Sequence, residues 1–261
     1  MQSTYPLTAR RFPDITFAWR WLNLRWNYNQ KGNRDYRLDF LRGFAVFAMV
    51  IDHLGSSSWL HPLTGGNQFF VSAAEAFVFI SGLIFGIVYG GIMLKEGWVA
   101  AAKKALWRAW SLYKLTVGLT LLFVFVIFAA RLPFADWYTL GNPLQLVWDV
   151  ATLQRTFVFV DVTLLYTLLL AVAPLALYAM KRGQTKLMLA ASVALWGGYQ
   201  LFPTQFVQIP WRIEGNWIFN FAAWQLVFFV AMAIGFHRKQ LTQRLSGLPR
   251  SPYMAGLTVL F

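Results

Sequence analysis

One apolar run, "LDFLRGFAVFAMVIDHLG" at residues 38–55, carries four ionisable side chains: Asp39, Arg42, Asp52 and His53. Near the centre of a bilayer a charged group costs on the order of 2.5–3.5 kcal/mol, so such groups face protein or water and mark functional paths. Arg42 and His53 are eleven residues apart, three helical turns and about 20°, and Asp39 falls about 40° from His53. The three therefore share a helix face, with Arg42 and His53 separated by roughly 16 Å along the axis. Arg42 is expected near the inner boundary and His53 deep in the membrane. A guanidinium suits an anionic donor, and an imidazole suits proton abstraction, above all when a carboxylate fixes its tautomer and raises its basicity. Asp52 lies about 100° from His53 on the helix, whereas Glu75 and Asp161 would reach it from other spans. The candidate catalytic set is His53 with Asp52, Glu75 and Asp161, and the sequence leaves open which acid holds the ring.

Each residue also has a plain structural reading. Arg42 could snorkel to headgroups, Asp39 could be a helix-start acid favoured by the dipole, and Asp52 and His53 could be a polar helix end beside "GSSS". Lys114 is expected to snorkel or pair with an acid, and His61 and His237 to be solvated loop histidines. The chain has no cysteine, which excludes disulfides, thiolate nucleophiles and Cys-ligated metals, and no metal site is expected. Without a Cys or a GxSxG elbow, direct attack assisted by His is preferred to an acyl-enzyme; nothing nearby marks Ser81 or Ser56–Ser58 as activated.

The elements that must position these groups are membrane helices. Of 261 residues 58% are hydrophobic and 13% charged, mean hydropathy is +0.49, and the apolar residues come in long runs, as in an integral membrane protein. Six stretches reach the length of a span: 38–60, 72–94, 106–130, 156–180, 187–202 and 216–236. The expected fold is an all-α polytopic transmembrane helix bundle of six spans. "SPYMAGLTVLF" at 251–261 begins a seventh, so a C-terminally incomplete chain is expected. The net charge of +13 is not a nucleic-acid signal, because no soluble polar stretch could carry a basic face. Residues 1–37 hold seven Arg/Lys against two acids, and basic clusters recur at 95–108, 181–186 and 238–250. Between them, 131–155 and 203–215 are balanced: Arg131, Arg155 and Arg212 against Asp136, Asp149 and Glu214. This alternation is the positive-inside pattern and puts the N-terminus in the cytoplasm.

Arginines interrupt the N-terminal region, so it is no cleavable signal; "ITFAWRWLNLRW" reads as an interfacial segment. The domain division is thus 1–37, basic and Trp-rich at the cytoplasmic interface, and 38–261, transmembrane. Gly82, Gly86 and Gly90 line one helix face, either for packing inside the bundle or as a dimer seam; a homodimer is thus one expectation. Trp59, Trp137, Tyr138, Trp148, Trp211 and Trp217 lie near expected outer ends, as an aromatic belt or a stacking surface for sugars.

Arg42, ten residues, then His53 matches the R-x10-H element of the membrane-bound acyltransferase family 3. The wider phrases "RDYRLDFLRGFAVFAMVIDHLG" and "AEAFVFISGLIFG" resemble its OpgC branch, as do "DVTLLYTLLLAVAPLAL", with Asp161 and Tyr166, and "NWIFNFAAWQLVFFVAMAIG", with Asn220, Trp224 and Gln225. That branch is associated with succinylation of osmoregulated periplasmic glucans in Gram-negative bacteria. The resemblance implies an inner-membrane acyltransferase with the lipid bilayer, acyl-CoA and a periplasmic glucan acceptor as partners. Acyl-CoA, expected as succinyl-CoA, would be a co-substrate, with no bound cofactor. His53 would be the base and Arg42 the donor-side cation, with Asp39 beside it. Asn220, Trp224 and Gln225 join the candidate substrate-binding set. The RxxR element often found at the third span of the family is here "KALWR", from Lys104 to Arg108, the remaining donor-binding candidates.

Two readings compete. Intramembrane Asp, Glu and His also serve proton-coupled transporters and flippases, although no inverted pair of broken helices is evident. A non-catalytic assembly subunit is the third.

Overall fold

The computed structural model describes residues 36–53, 59–64, 72–132, 141–157 and 160–245. The interfacial segment up to residue 35, Ser56–Ser58, Asp136, Trp137, Tyr138 and the run 251–261 lie outside the described residues. From Leu38 onward the chain is one compact unit, and its described residues are helical without a named strand.

Helix α1 is described over Tyr36–His53, with His53 its last described residue. A short α2 (His61–Thr64) follows. Helix α3 (Ala73–Glu96) starts at Ser72, whose N–H donates to the Glu75 carboxylate at 2.9 Å and whose hydroxyl also reaches it. This is the capping-box pairing that satisfies a helix start. Gly97, at φ 91°, ends α3 and turns the chain directly into α4 (Trp98–Ala129), a left-handed conformation that glycine adopts without a Cβ penalty.

After α5 (Pro143–Ala151), α6 (Asp161–Lys181) runs through the core: thirteen of its 21 residues are buried. Pro174 lies inside α6, and its carbonyl accepts the indole N–H of Trp98 at 3.0 Å. The remaining helices are α7 (Thr185–Leu201), α8 (Pro203–Phe206), α9 (Phe221–Phe236) and α10 (Arg238–Leu245). Entering α6 and α9, the chain is pinned by a Thr156 N–H to Glu214 carbonyl bond of 2.9 Å and an Arg155–Glu214 ion pair of 3.0 Å.

The closest seam joins α3 to α9. A Cβ on Gly82 would overlap the Phe228 carbonyl, one on Gly86 the Met232 carbonyl, and one on Gly235 the Leu83 carbonyl. Small residues here let two backbones meet, so this stripe works inside the chain and is covered by α9 rather than open as a dimer seam. Helix α9 is stapled on another side to α7. The Ser192 hydroxyl donates to Gln225 Oε1 at 2.5 Å, and Gln225 Nε2 donates to the Ser192 carbonyl at 2.8 Å.

Three described helices, α3, α4 and α6, are long and apolar enough to cross a membrane, and α9 with α10, bent by 72°, makes up to four. The boundaries differ from the hydropathy reading at informative places. Helix α4 begins at Trp98 rather than 106, because "WVAAAKKALWR" is rich in strong helix formers that a hydropathy window does not see. The stretch 216–220 is not helical; Asn220, extended, forms the start of α9.

Candidate functional site

On α3 the glycines form one face, and the residues one step back in sequence form the next. Phe77, Ser81, Phe85 and Val88, at spacings of four and three, turn toward a cavity of about 260 Å³. Its other walls are Arg42 of α1, Arg108 and Leu112 of α4, Val162, Thr163, Tyr166 and Leu170 of α6, and Phe228 of α9. The close α3–α9 seam thus fixes one wall, and the buried helix α6 another.

Within this mainly apolar space the polar groups are few and mostly held. The Tyr166 hydroxyl donates to the Phe77 carbonyl at 3.1 Å, with the Ser81 side chain as a further hydrogen-bond partner and Arg42 within electrostatic range. Thr163 donates to the Val160 carbonyl at 2.8 Å and accepts from Thr116 at 3.1 Å. Arg42 is half-buried. Two guanidinium groups from different helices therefore border one cavity, an arrangement suited to an anionic ligand with an apolar portion.

His53 lies beyond the cavity lining, exposed on the last turn of α1. Its Nδ1 is 2.6 Å from the Met49 carbonyl. A carbonyl only accepts, so Nδ1 carries the proton, and in the neutral ring the lone pair is on Nε2. The tautomer read from this bond is the one that the histidine's own helix favours.

The three acids separate. Asp161, only 2% exposed at the first residue of α6, accepts from the Val162 N–H at 2.9 Å and lies within electrostatic range of His53. Glu75 serves the capping pair with Ser72. Asp52 accepts a long 3.4 Å bond from Thr64. Asp161 precedes Val162 and Thr163 of the cavity wall in the chain but is not itself in the lining.

Of the donor-binding candidates, Arg42 and Arg108 meet at the cavity. Lys104, four residues before Arg108, instead pairs with Glu96 at 2.9 Å on the surface. Asp39 is half-buried in the first turn of α1. Asn220, Trp224 and Gln225 lie outside the lining. Asn220 is buried at the start of α9, the Trp224 indole donates to the Ile218 carbonyl at 2.8 Å, and Gln225 is engaged with Ser192. Among the described residues no group of three or more His, Asp or Glu side chains converges.

Compared with known protein families, the chain matches the family model of OpgC protein over residues 34–261. The chain belongs to the OpgC family. With its apolar helices it is an OpgC-type membrane protein, and the family points to transferase chemistry. No curated protein and no solved structure matches it. The OpgC match spans every helix that walls the cavity. Two lining residues of this OpgC protein, Tyr89 and Thr163, went unmarked by sequence reasoning. The available signal was spacing: Tyr89 is one turn beyond Phe85 and stacks on it, with centroids 4.2 Å apart.

Proposed function

We propose that this OpgC-type protein is an integral-membrane O-acyltransferase. It moves an acyl group, succinyl in our reading, from acyl-CoA on the cytoplasmic side to a hydroxyl of a periplasmic glucan. The observation that carries the proposal is an apolar cavity bordered by Arg42 and Arg108, with His53 about three turns along α1 from Arg42. The cavity wall on α3 runs from Phe77 to Tyr89, about 18 Å along the helix. Its 260 Å³ equals roughly nine liquid-water volumes, room for an acyl thioester and part of its arm rather than a nucleotide. The nucleotide end would stay outside, near Arg108.

In this mechanism Nε2 of His53 takes the proton of the acceptor hydroxyl as that oxygen attacks the thioester carbonyl. The tetrahedral intermediate collapses with cleavage of the C–S bond, and the departing CoA thiolate receives the proton from the imidazolium. Asp161, buried and electrostatically coupled to the ring, favours the imidazolium that forms between these steps. Arg42 holds anionic donor oxygens.

The charge alternation supports an inner-membrane protein with its N-terminus in the cytoplasm and six passes, α1, α7 and α9 being the shorter ones. Reporter fusions at residue 183 should read cytoplasm and at 208 periplasm; the reverse result would discard this orientation. The activity test is purified protein with isotope-labelled succinyl-CoA and a glucan oligosaccharide. Label covalently attached to the acceptor supports the reading. Folded protein that leaves the acceptor unmodified while moving it or protons across a vesicle membrane would replace transfer with transport.

A further inference from the structure

Helix α4 has 32 residues and so extends about 48 Å, roughly 18 Å more than the hydrocarbon core of a bilayer. Its apolar end is the C-terminal one. The first three turns, which hold Lys103, Lys104 and Arg108, must therefore project through one interface. Two opposite faces of this projecting segment do different things. Arg108 and Leu112, about 140° and 180° from Lys103 on the wheel, look into the cavity. Lys103, Trp107, Trp110 and Lys114 fall within about 60° of one another, and all four are exposed on the opposite face.

That outward stripe is partly preformed. A shallow groove of about 590 Å³ runs along it between Trp98, Val99, Leu106 and Trp110. The Trp98 wall is fixed by its indole bond to the Pro174 carbonyl and by an edge contact with Tyr178 at 5.3 Å. Trp110 is stacked on Tyr113 at 5.0 Å. The two cations have no acidic partner among the described residues, in contrast to neighbouring Lys104, which has Glu96. Lys114 stands at the start of the apolar part of the helix, where an uncompensated charge is costly, one turn beyond Trp110 on the same face, and a lysine stem there snorkels its ammonium to the interface. Beyond Lys114 the same face offers open space at Gly118 and a 70% exposed Phe125.

We infer that the outward face of α4 is a binding site for an anionic phospholipid. The phosphate would lie against the two tryptophans between Lys103 and Lys114, and an acyl chain would run over Gly118 and Phe125. Two ammonium groups with an aromatic pair between them select negative headgroups over zwitterionic ones, and the apolar continuation selects a lipid over a free phosphate. This inference needs only that α4 crosses the membrane and stands apart from the acyl-transfer reading.

The test is native mass spectrometry of the protein released from nanodiscs of phosphatidylcholine with and without phosphatidylglycerol, comparing the parent with Lys103→Gln/Lys114→Gln. Each lysine near the surface strengthens anionic-lipid binding several-fold, so the double variant should lose about 10- to 30-fold in preference for phosphatidylglycerol. Lys104→Gln should keep the parental preference. Equal retention of the two lipids by the parent, or an unchanged preference in the double variant, overturns the site. A changed oligomeric mass in the double variant, with lipid preference intact, would make the face a protein interface and equally overturn it.

Discussion

Helix α1 and the α3–α9 pair divide the labour of the molecule unequally. The pair is joined backbone to backbone, with carbonyls of Phe228, Met232 and Leu83 where a Cβ would otherwise sit. Helix α1 carries Asp39, Arg42, Asp52 and His53 but buries only Ala45, Ala48 and Ile51, and it packs lightly on the other helices. The four candidate ionisable groups thus sit on a lightly embedded helix, while the cavity that Arg42 borders is walled by helices of the closest backbone contact. The charges explain part of this: a helix that buried all four groups would bear several desolvation penalties. Glycine seams offer the reverse, close contact with no polar side chain to satisfy.

The sharpest way to break this division is His53→Ala. The imidazole is exposed, so folding should be intact. Loss of a general base lowers the rate by about 10² to 10⁴. Acyl transfer and thermal unfolding of the same preparation decide the matter: normal turnover removes His53 from the mechanism, and lost folding would make it a structural histidine.

Next in size is the seam itself. Gly86→Val places a branched side chain onto the Met232 carbonyl and the Phe236 N–H region. Overpacking of a close contact costs about 1–3 kcal/mol and more where backbones must separate. Detergent-solubilised protein should unfold well below the parent, and transfer activity should fall with folded fraction. A parental melting temperature would mean the α3–α9 backbones are not in contact.

Gln225 tests whether a residue suggested by family likeness is reagent or scaffold. Gln225→Ala strands the buried Ser192 hydroxyl and carbonyl, a loss of about 1–3 kcal/mol. The expected signature is lower stability with unchanged KM for the donor; a raised KM at parental stability would return Gln225 to the binding site.

These cases show what was legible in the chain. Long apolar runs foretold α3, α6 and α9, because lipid demands internally bonded backbone, and the glycine spacing foretold a close seam but not its partner. Helical periodicity put Arg42 and His53 on one face of α1, and of the two Arg42 lies in the cavity lining. What could not be read was anything between elements. Glu75, Asp52 and Asp161 are equivalent as letters, yet only Asp161 is both buried and electrostatically linked to His53. The start of α4 was misplaced for a related reason: a hydropathy window registers affinity for lipid, and a helix continuing into the interface is invisible to it.

The smallest expected effect concerns Lys104 and Arg108, which stand four residues apart on α4. They were equal candidates by sequence, being the two basic ends of "KALWR". The structure gives them different neighbours: Arg108 borders the cavity with Arg42, and Lys104 holds Glu96 with both side chains about half exposed. An exposed ion pair contributes about 0–1 kcal/mol and is screened by salt, so Lys104→Ala should change neither stability nor donor KM beyond twofold. If the proposed donor binds there, Arg108→Ala removes a charge-assisted contact, a larger loss of about 1.5–3 kcal/mol in hydrogen bonding to a charged group, and should raise KM at least tenfold with little change in melting temperature. Steady-state kinetics of the two variants at low and high salt separate these outcomes. If Lys104→Ala raised KM as Arg108→Ala does, the donor would reach across the helix surface to Glu96, and the cavity would be only the inner part of a longer binding track.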